Sequence, residues 1–173
     1  MSEPVDDDVF APLDQLGRVV FALCRGLALA GGLVLVVVAA MSAASVGSRW
    51  LFDRSLMGDF ELVQLGCAIA VSTFLPYCQM RRGHVIVDFF TVNLERRNRA
   101  WFDAFGALLL AACAALVAWR MGLGLISARA SGESSMLLGV PIWLAYVPMA
   151  PSFALLAIAS CYTAWADFAR QRQ

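Results

Sequence analysis

Four long apolar runs govern what this chain can become. They cover residues 26–47, 62–80, 104–128 and 142–166. A helix needs roughly 20 apolar residues to cross a hydrocarbon core of about 30 Å. In lipid, backbone N–H and C=O groups find no water, so a crossing segment must pair them within itself. Runs of this length therefore imply helices, expected at about 20–47, 62–80, 101–128 and 142–166. The connections, such as "SRWLFDRSLMGDFE" and "SGESSMLLGVP", are too short for a separate soluble domain, and no internal repeat is present. Residues 1–173 read as a single membrane domain, and the expected fold class is an all-α integral membrane protein with four transmembrane helices.

Composition agrees. The chain is 61% hydrophobic and 15% charged, where soluble domains carry about 25% charge. Formal net charge is zero, which gives no attraction to nucleic acid. The text before the first run, "EPVDDDVF", is acidic where a cleaved signal peptide would be basic, so the run reads as a retained anchor. The five cysteines lie in or beside apolar runs with no C-x-x-C pair, the pattern of small packing residues. A single histidine, His84, excludes bis-histidine haem within the chain. A quinone-linked membrane oxidoreductase would want paired Cys or several His, so the chain is not expected to be an enzyme or to bind a cofactor.

Arginine placement sets the expected topology, because loops rich in Lys and Arg stay on the cytoplasmic side. The connection between helices two and three holds Arg81, Arg82, Arg96, Arg97 and Arg99, and the ends of the chain hold Arg18, Arg25, Arg170 and Arg172. The opposite side holds Arg49, Arg54 and Arg129. Both termini and the 81–99 connection are expected in the cytoplasm. Arg120, in the third run, is expected near the outer interface, with its charge reaching toward headgroups, the alternative being a buried functional charge.

The stretch "QMRRGHVIVDFF" at residues 79–90 concentrates charge between two apolar runs. From Val85 onward, Ile86, Phe89, Phe90 and Leu94 recur at helical spacing, while Asp88, Thr91, Glu95 and Asn98 mark another face. That pattern predicts an amphipathic interfacial helix over about 86–98, on the cytoplasmic side between helices two and three. Gly83 would let the chain turn. His84 reads as a headgroup-level polar residue, as a contact that holds the bend, or as part of a proton relay. Asp88 reads as a cap for the interfacial helix, a partner for Arg81 or Arg82, or a contact to another subunit. Glu61 suits the positive end of helix two or a contact to a second subunit. Pro148 and Pro151 are expected to bend helix four. The rows Ala39, Ala43, Gly47 and Ala107, Ala111, Ala115 allow close helix approach.

The text "RWLFDRSLMGDFELVQL" followed by "RRGHVIVDFF" resembles the small, Q-type membrane subunit of TRAP (tripartite ATP-independent periplasmic) transporters. The resemblance rests on Arg49, Trp50 and Phe52 after helix one and on Glu61 at the start of helix two, with Phe60 where a second acid often stands. Its most specific part is the run Arg81, Gly83, His84, Val85, Val87 and Asp88. It implies a bacterial inner-membrane protein that braces a large multi-spanning transporter subunit. A periplasmic substrate-binding protein would deliver an organic acid to that subunit, with sodium as the coupling ion. The partner-facing motif would comprise Arg49, Trp50, Glu61, Arg81, Arg82, Gly83, His84, Asp88, Phe89 and Phe90. A stand-alone four-helix channel or assembly factor is the competing expectation.

Overall fold

A computed structural model describes residues 15–52, 58–81 and 96–171. Four helices account for nearly all of them: α1 Gln15–Phe52, α2 Asp59–Met80, α3 Arg96–Ser131 and α4 Trp143–Gln171. Each contains a segment long and apolar enough to cross a membrane: Gln15–Leu51, Asp59–Met80, Phe105–Ser131 and Trp143–Ala166. Among the described residues the only extended pairing is an isolated bridge between Ser134 and Pro141. The fold is all-α.

The 38 residues of α1 and the 36 of α3 give helices about 57 and 54 Å long at about 1.5 Å per residue. Both outrun a bilayer core. They also outrun the apolar text, since α1 begins at Gln15 and ends at Phe52 rather than covering 20–47. Apolarity marks where lipid ends, whereas a helix continues until something breaks it. "QLGRV" and "SRWLF" contain no proline to do so. Of the interfacial helix expected at about 86–98, residues 86–95 lie outside the described residues, and Arg96–Asn98 form the start of α3.

Helix α4 passes through Pro148 and Pro151 as one element, and α2 passes through Pro76. A proline frees the carbonyl four residues before it. Local hydroxyls bond to the backbone around these sites: Ser152 Oγ donates to the Pro148 carbonyl at 2.7 Å, and Ser72 Oγ to that of Ile69 at 2.8 Å.

The helices form two hairpins, α1 with α2 and α3 with α4. The hairpins join through α2 against α4, while α1 barely touches α4. The row is thus α1, α2, α4, α3, with the two longest helices on the flanks and the two inner ones more buried. Small residues make the contacts. On α1, Cys24, Gly31, Val38 and Ser45 recur every seven residues and face α2 or α4. A methyl group at Gly31 would overlap the Thr73 hydroxyl and come 3.3 Å from the Ala70 carbonyl. One at Gly66 would overlap a Val38 methyl. Without a hydrophobic drive between helices in lipid, such close backbone approach supplies the attraction through dispersion. The expected row Ala39, Ala43, Gly47 is not this seam: Ala39 and Ala43 are exposed. On α3, Ala111 and Ala114 are buried, while Ala115 is exposed.

Candidate functional site

Two polar assemblies lie at opposite ends of the helix row. The end of α1, the start of α2 and the connection from α3 to α4 meet at one end, here called the hairpin end. The start of α1, the end of α2 and the end of α4 meet at the other, the terminal end.

At the hairpin end α2 starts from Gly58, whose φ of 85° lies in the left-handed region that glycine adopts without strain. The Leu138 side chain occupies the space where a Cβ would stand. Asp59 and Glu61 follow in the first turn. Asp59 accepts a hydrogen bond from Ser45 Oγ at 2.5 Å, which ties α1 to α2. The Arg49 guanidinium adds a longer-range attraction for the same carboxylate.

Glu61 reaches across to the other hairpin. Its carboxylate accepts Ser135 Oγ at 2.6 Å, the Leu137 N–H at 3.1 Å and the Leu138 N–H at 3.2 Å. The segment it grips is already folded on itself. Gly132, at φ 66°, ends α3 in the left-handed position usual after a helix. The Ser135 N–H then bonds to the Val140 carbonyl at 2.9 Å, and the Ile142 N–H to that of Glu133 at 3.1 Å. One side chain therefore fastens the two hairpins across 74 to 77 residues of sequence. The sequence singled out Glu61 but not this loop. Ser135 follows Ser134 in polar, unremarkable text, and only the fold brings it to α2.

At the terminal end Arg81 closes α2. Its Nε donates to the Tyr77 hydroxyl at 3.1 Å, and its guanidinium lies 5.4 Å from the Tyr77 ring centre and 5.9 Å from that of Phe21. Cations lie favourably over ring faces at such distances. Beneath them Val20, Cys24, Met80 and Ala159 form the most buried apolar cluster, flanked by Leu155 and Tyr162. Beside this cluster, Gln79 Nε2 donates to Thr163 Oγ1 at 3.0 Å, and Thr163 donates onward to the Ser160 carbonyl. This bond joins α2 to α4 where the two hairpins meet.

The remaining motif residues divide. Arg49 and Trp50 lie exposed in the last turn of α1. Arg82, Gly83, His84, Asp88, Phe89 and Phe90 fall outside the described residues. An apolar groove of about 550 Å³ runs beside α4, lined by Leu16, Ile158, Cys161, Tyr162 and Trp165 among others. Its walls carry almost no polar group that would orient a polar solute. Among the described residues no group of three or more His, Cys, Asp or Glu side chains could hold a metal ion. The assemblies hold helices to one another. They bring no nucleophile, base or ion ligand set to a common point.

A family model described as tripartite ATP-independent periplasmic transporters, DctQ component, matches residues 38–170. The match begins midway along α1, continues through the Glu61 clamp and Arg81, and ends in the last turns of α4. No curated protein and no solved structure matches the chain significantly.

Proposed function

This chain belongs to the DctQ family, the small component of tripartite ATP-independent periplasmic transporters, and from that premise we propose that it is a non-catalytic brace for the large transport subunit. Members of this family work with a large membrane subunit and a periplasmic binding protein. Four apolar helices and the family together make it a multi-pass inner-membrane protein.

The observation that carries the bracing role is the division of labour between ends and faces. Polar fastenings are spent inside the chain, Glu61 to the 135–138 loop and Gln79 to Thr163. The long flanks α1 and α3 leave leucine, valine and tryptophan exposed over much of their length. A transport pathway normally displays charged or polar groups inside the bundle. Among the described residues the side chains buried between helices include no charged group, and the polar ones are Ser, Thr and Gln79. Such a body is suited to stiffen a neighbour while a moving element of that neighbour carries the solute.

On this reading the solute is an organic acid delivered by the binding protein, and sodium drives its entry through the large subunit. The termini and the 81–99 connection lie in the cytoplasm, so the hairpin end faces the periplasm. The arginine asymmetry supports that orientation, and the fold gathers Arg18, Arg25 and Arg81 at the terminal end.

The test is reconstitution. In vesicles with an imposed sodium gradient, the large and small subunits together with the binding protein take up the organic acid. The small chain alone takes up nothing above empty vesicles. Sodium-dependent uptake by the small chain alone would end the bracing reading.

A further inference from the structure

Helix α2 sets one end of the molecule at a membrane surface. Its span, Asp59–Met80, has 22 residues, or about 33 Å at about 1.5 Å per residue, and a hydrocarbon core is about 30 Å thick. A helix of that length crosses the core only with an end at each surface, wherever the longer helices stop. Arg81 is the next residue, and its N–H bonds to the Tyr77 carbonyl at 3.0 Å. The terminal end of the molecule therefore meets headgroups at Arg81.

The Arg81 side chain is held in place. Nε donates to the Tyr77 hydroxyl, and the guanidinium lies against the Tyr77 and Phe21 rings. Those contacts use Nε and leave the terminal nitrogens as donors. Among the described residues no hydrogen bond or ion pair engages those nitrogens, and the residue is exposed. A guanidinium stays charged at any pH the protein meets, and its planar fork matches the oxygens of a phosphate.

Two more arginines flank the same ring. Arg18 stands three residues before Phe21 and Arg25 four after it, spacings that share a helix face. Both are exposed, and among the described residues no ion pair engages either. The acids whose side chains the structure describes, Asp59, Glu61 and Glu133, lie at the hairpin end. Three cations thus gather around Phe21, an arrangement that favours a bound anion. The same face of α1 then turns apolar: Leu29, Gly32 and Val36 follow Arg25 at four, seven and eleven residues. Leu29 and Val36 are exposed, and the space beside Gly32 is open. A charged patch that runs into an exposed apolar stripe fits a molecule with an anionic head and an apolar tail.

We propose that Arg18, Arg25 and Arg81 hold the headgroup phosphate of an anionic phospholipid, whose acyl chain lies along Leu29, Gly32 and Val36 of α1. Tyr77 is a positioning residue, since its hydroxyl and ring aim the Arg81 fork. A zwitterionic lipid brings its own cation toward the arginines and is held less well. A free phosphate meets the same guanidiniums but gains nothing from the apolar stripe. The site is separate from the bracing role and stands whether or not that role does.

The experiment uses the full chain, purified in mild detergent, and measures lipid affinity by native mass spectrometry. The probes are phosphatidylglycerol and phosphatidylcholine with the same acyl chains. The native chain binds one phosphatidylglycerol in clear preference to phosphatidylcholine. An arginine near an anionic headgroup contributes about fivefold in affinity, so Arg25→Gln and Arg81→Gln each lower phosphatidylglycerol binding by about that factor. Arg49→Gln, at the hairpin end, leaves it unchanged. Tyr77→Phe, which keeps the ring and removes the hydroxyl, weakens it by a smaller factor. Arg25 is exposed, so Arg25→Gln keeps the test decisive if Arg81→Gln fails to fold. Equal binding of the two lipids overturns the inference. So does undiminished binding in Arg25→Gln, or an equal loss in Arg49→Gln. Displacement of the lipid by inorganic phosphate overturns it too, since the site would then take a free anion and not a headgroup.

Discussion

Glu61 shows how one residue can be legible in type and illegible in purpose. An acid in the first turn of a helix suits the dipole wherever that helix goes. The sequence therefore accounts for Glu61 without any tertiary contact. In the fold the carboxylate instead spends itself on a hydroxyl and two backbone N–H groups of a loop 74 to 77 residues away. Hydrogen bonds to an ionised acceptor are shorter and stronger than neutral ones, and three converge here. Glu61→Ala would leave those donors to water and release the loop. Hydrogen exchange at the Leu137 and Leu138 amides should rise several-fold, with the helical amides of α2 and α4 little changed. Unaltered exchange at both amides would show that the loop holds its shape without the clamp.

At the scale of elements, α1 and α2 were foreseeable as helices, but their seam was not. Residues Gly31 and Gly32 are adjacent and equally suited to close packing on sequence grounds. A Cβ at Gly31 would strike Thr73, whose hydroxyl is held by the Ala70 carbonyl at 2.8 Å, while one at Gly32 would meet open space. Overpacking a well-fitted contact typically costs about 1–3 kcal/mol. Gly31→Ala should therefore lower the thermal unfolding midpoint in detergent. Gly32→Ala should hold or raise it, since alanine is the better helix former by about 1 kcal/mol. Equal midpoints would place the seam elsewhere. The alanine rows picked out from spacing show the same limit. Ala39 and Ala43 have the right spacing and face outward. Period alone says that residues share a face, not which face meets a neighbour.

Among the described residues the molecule is two hairpins fastened at both ends, with its long outer helices exposing apolar side chains over much of their length. The proposed orientation makes a specific demand. In a cysteine-free background, Met136→Cys, at a position 99% exposed on the α3–α4 loop, should be labelled in intact cells by a membrane-impermeant thiol reagent that reaches the periplasm. Asn93→Cys should be labelled only after the inner membrane is opened. The reverse pattern would invert the topology and place the Glu61 clamp in the cytoplasm. The family assignment survives either result, since it rests on the match over residues 38–170. The motif at 81–88, the strongest signal of that family in the sequence, lies mostly outside the described residues.

Helix number, helix type and approximate span positions were written in the sequence alone. Backbone hydrogen bonding in lipid is a local requirement, met within each apolar run whatever the other runs do. The family was legible for a related reason, since its motif is a contiguous string. The order α1, α2, α4, α3, the Gly31 crossing and the Glu61 clamp were decided only by tertiary structure. Lipid tails are as apolar as leucine, so hydropathy does not say which helix faces which. That choice falls to the shapes of small residues and to polar atoms far apart in sequence, and neither has a partner until the helices meet.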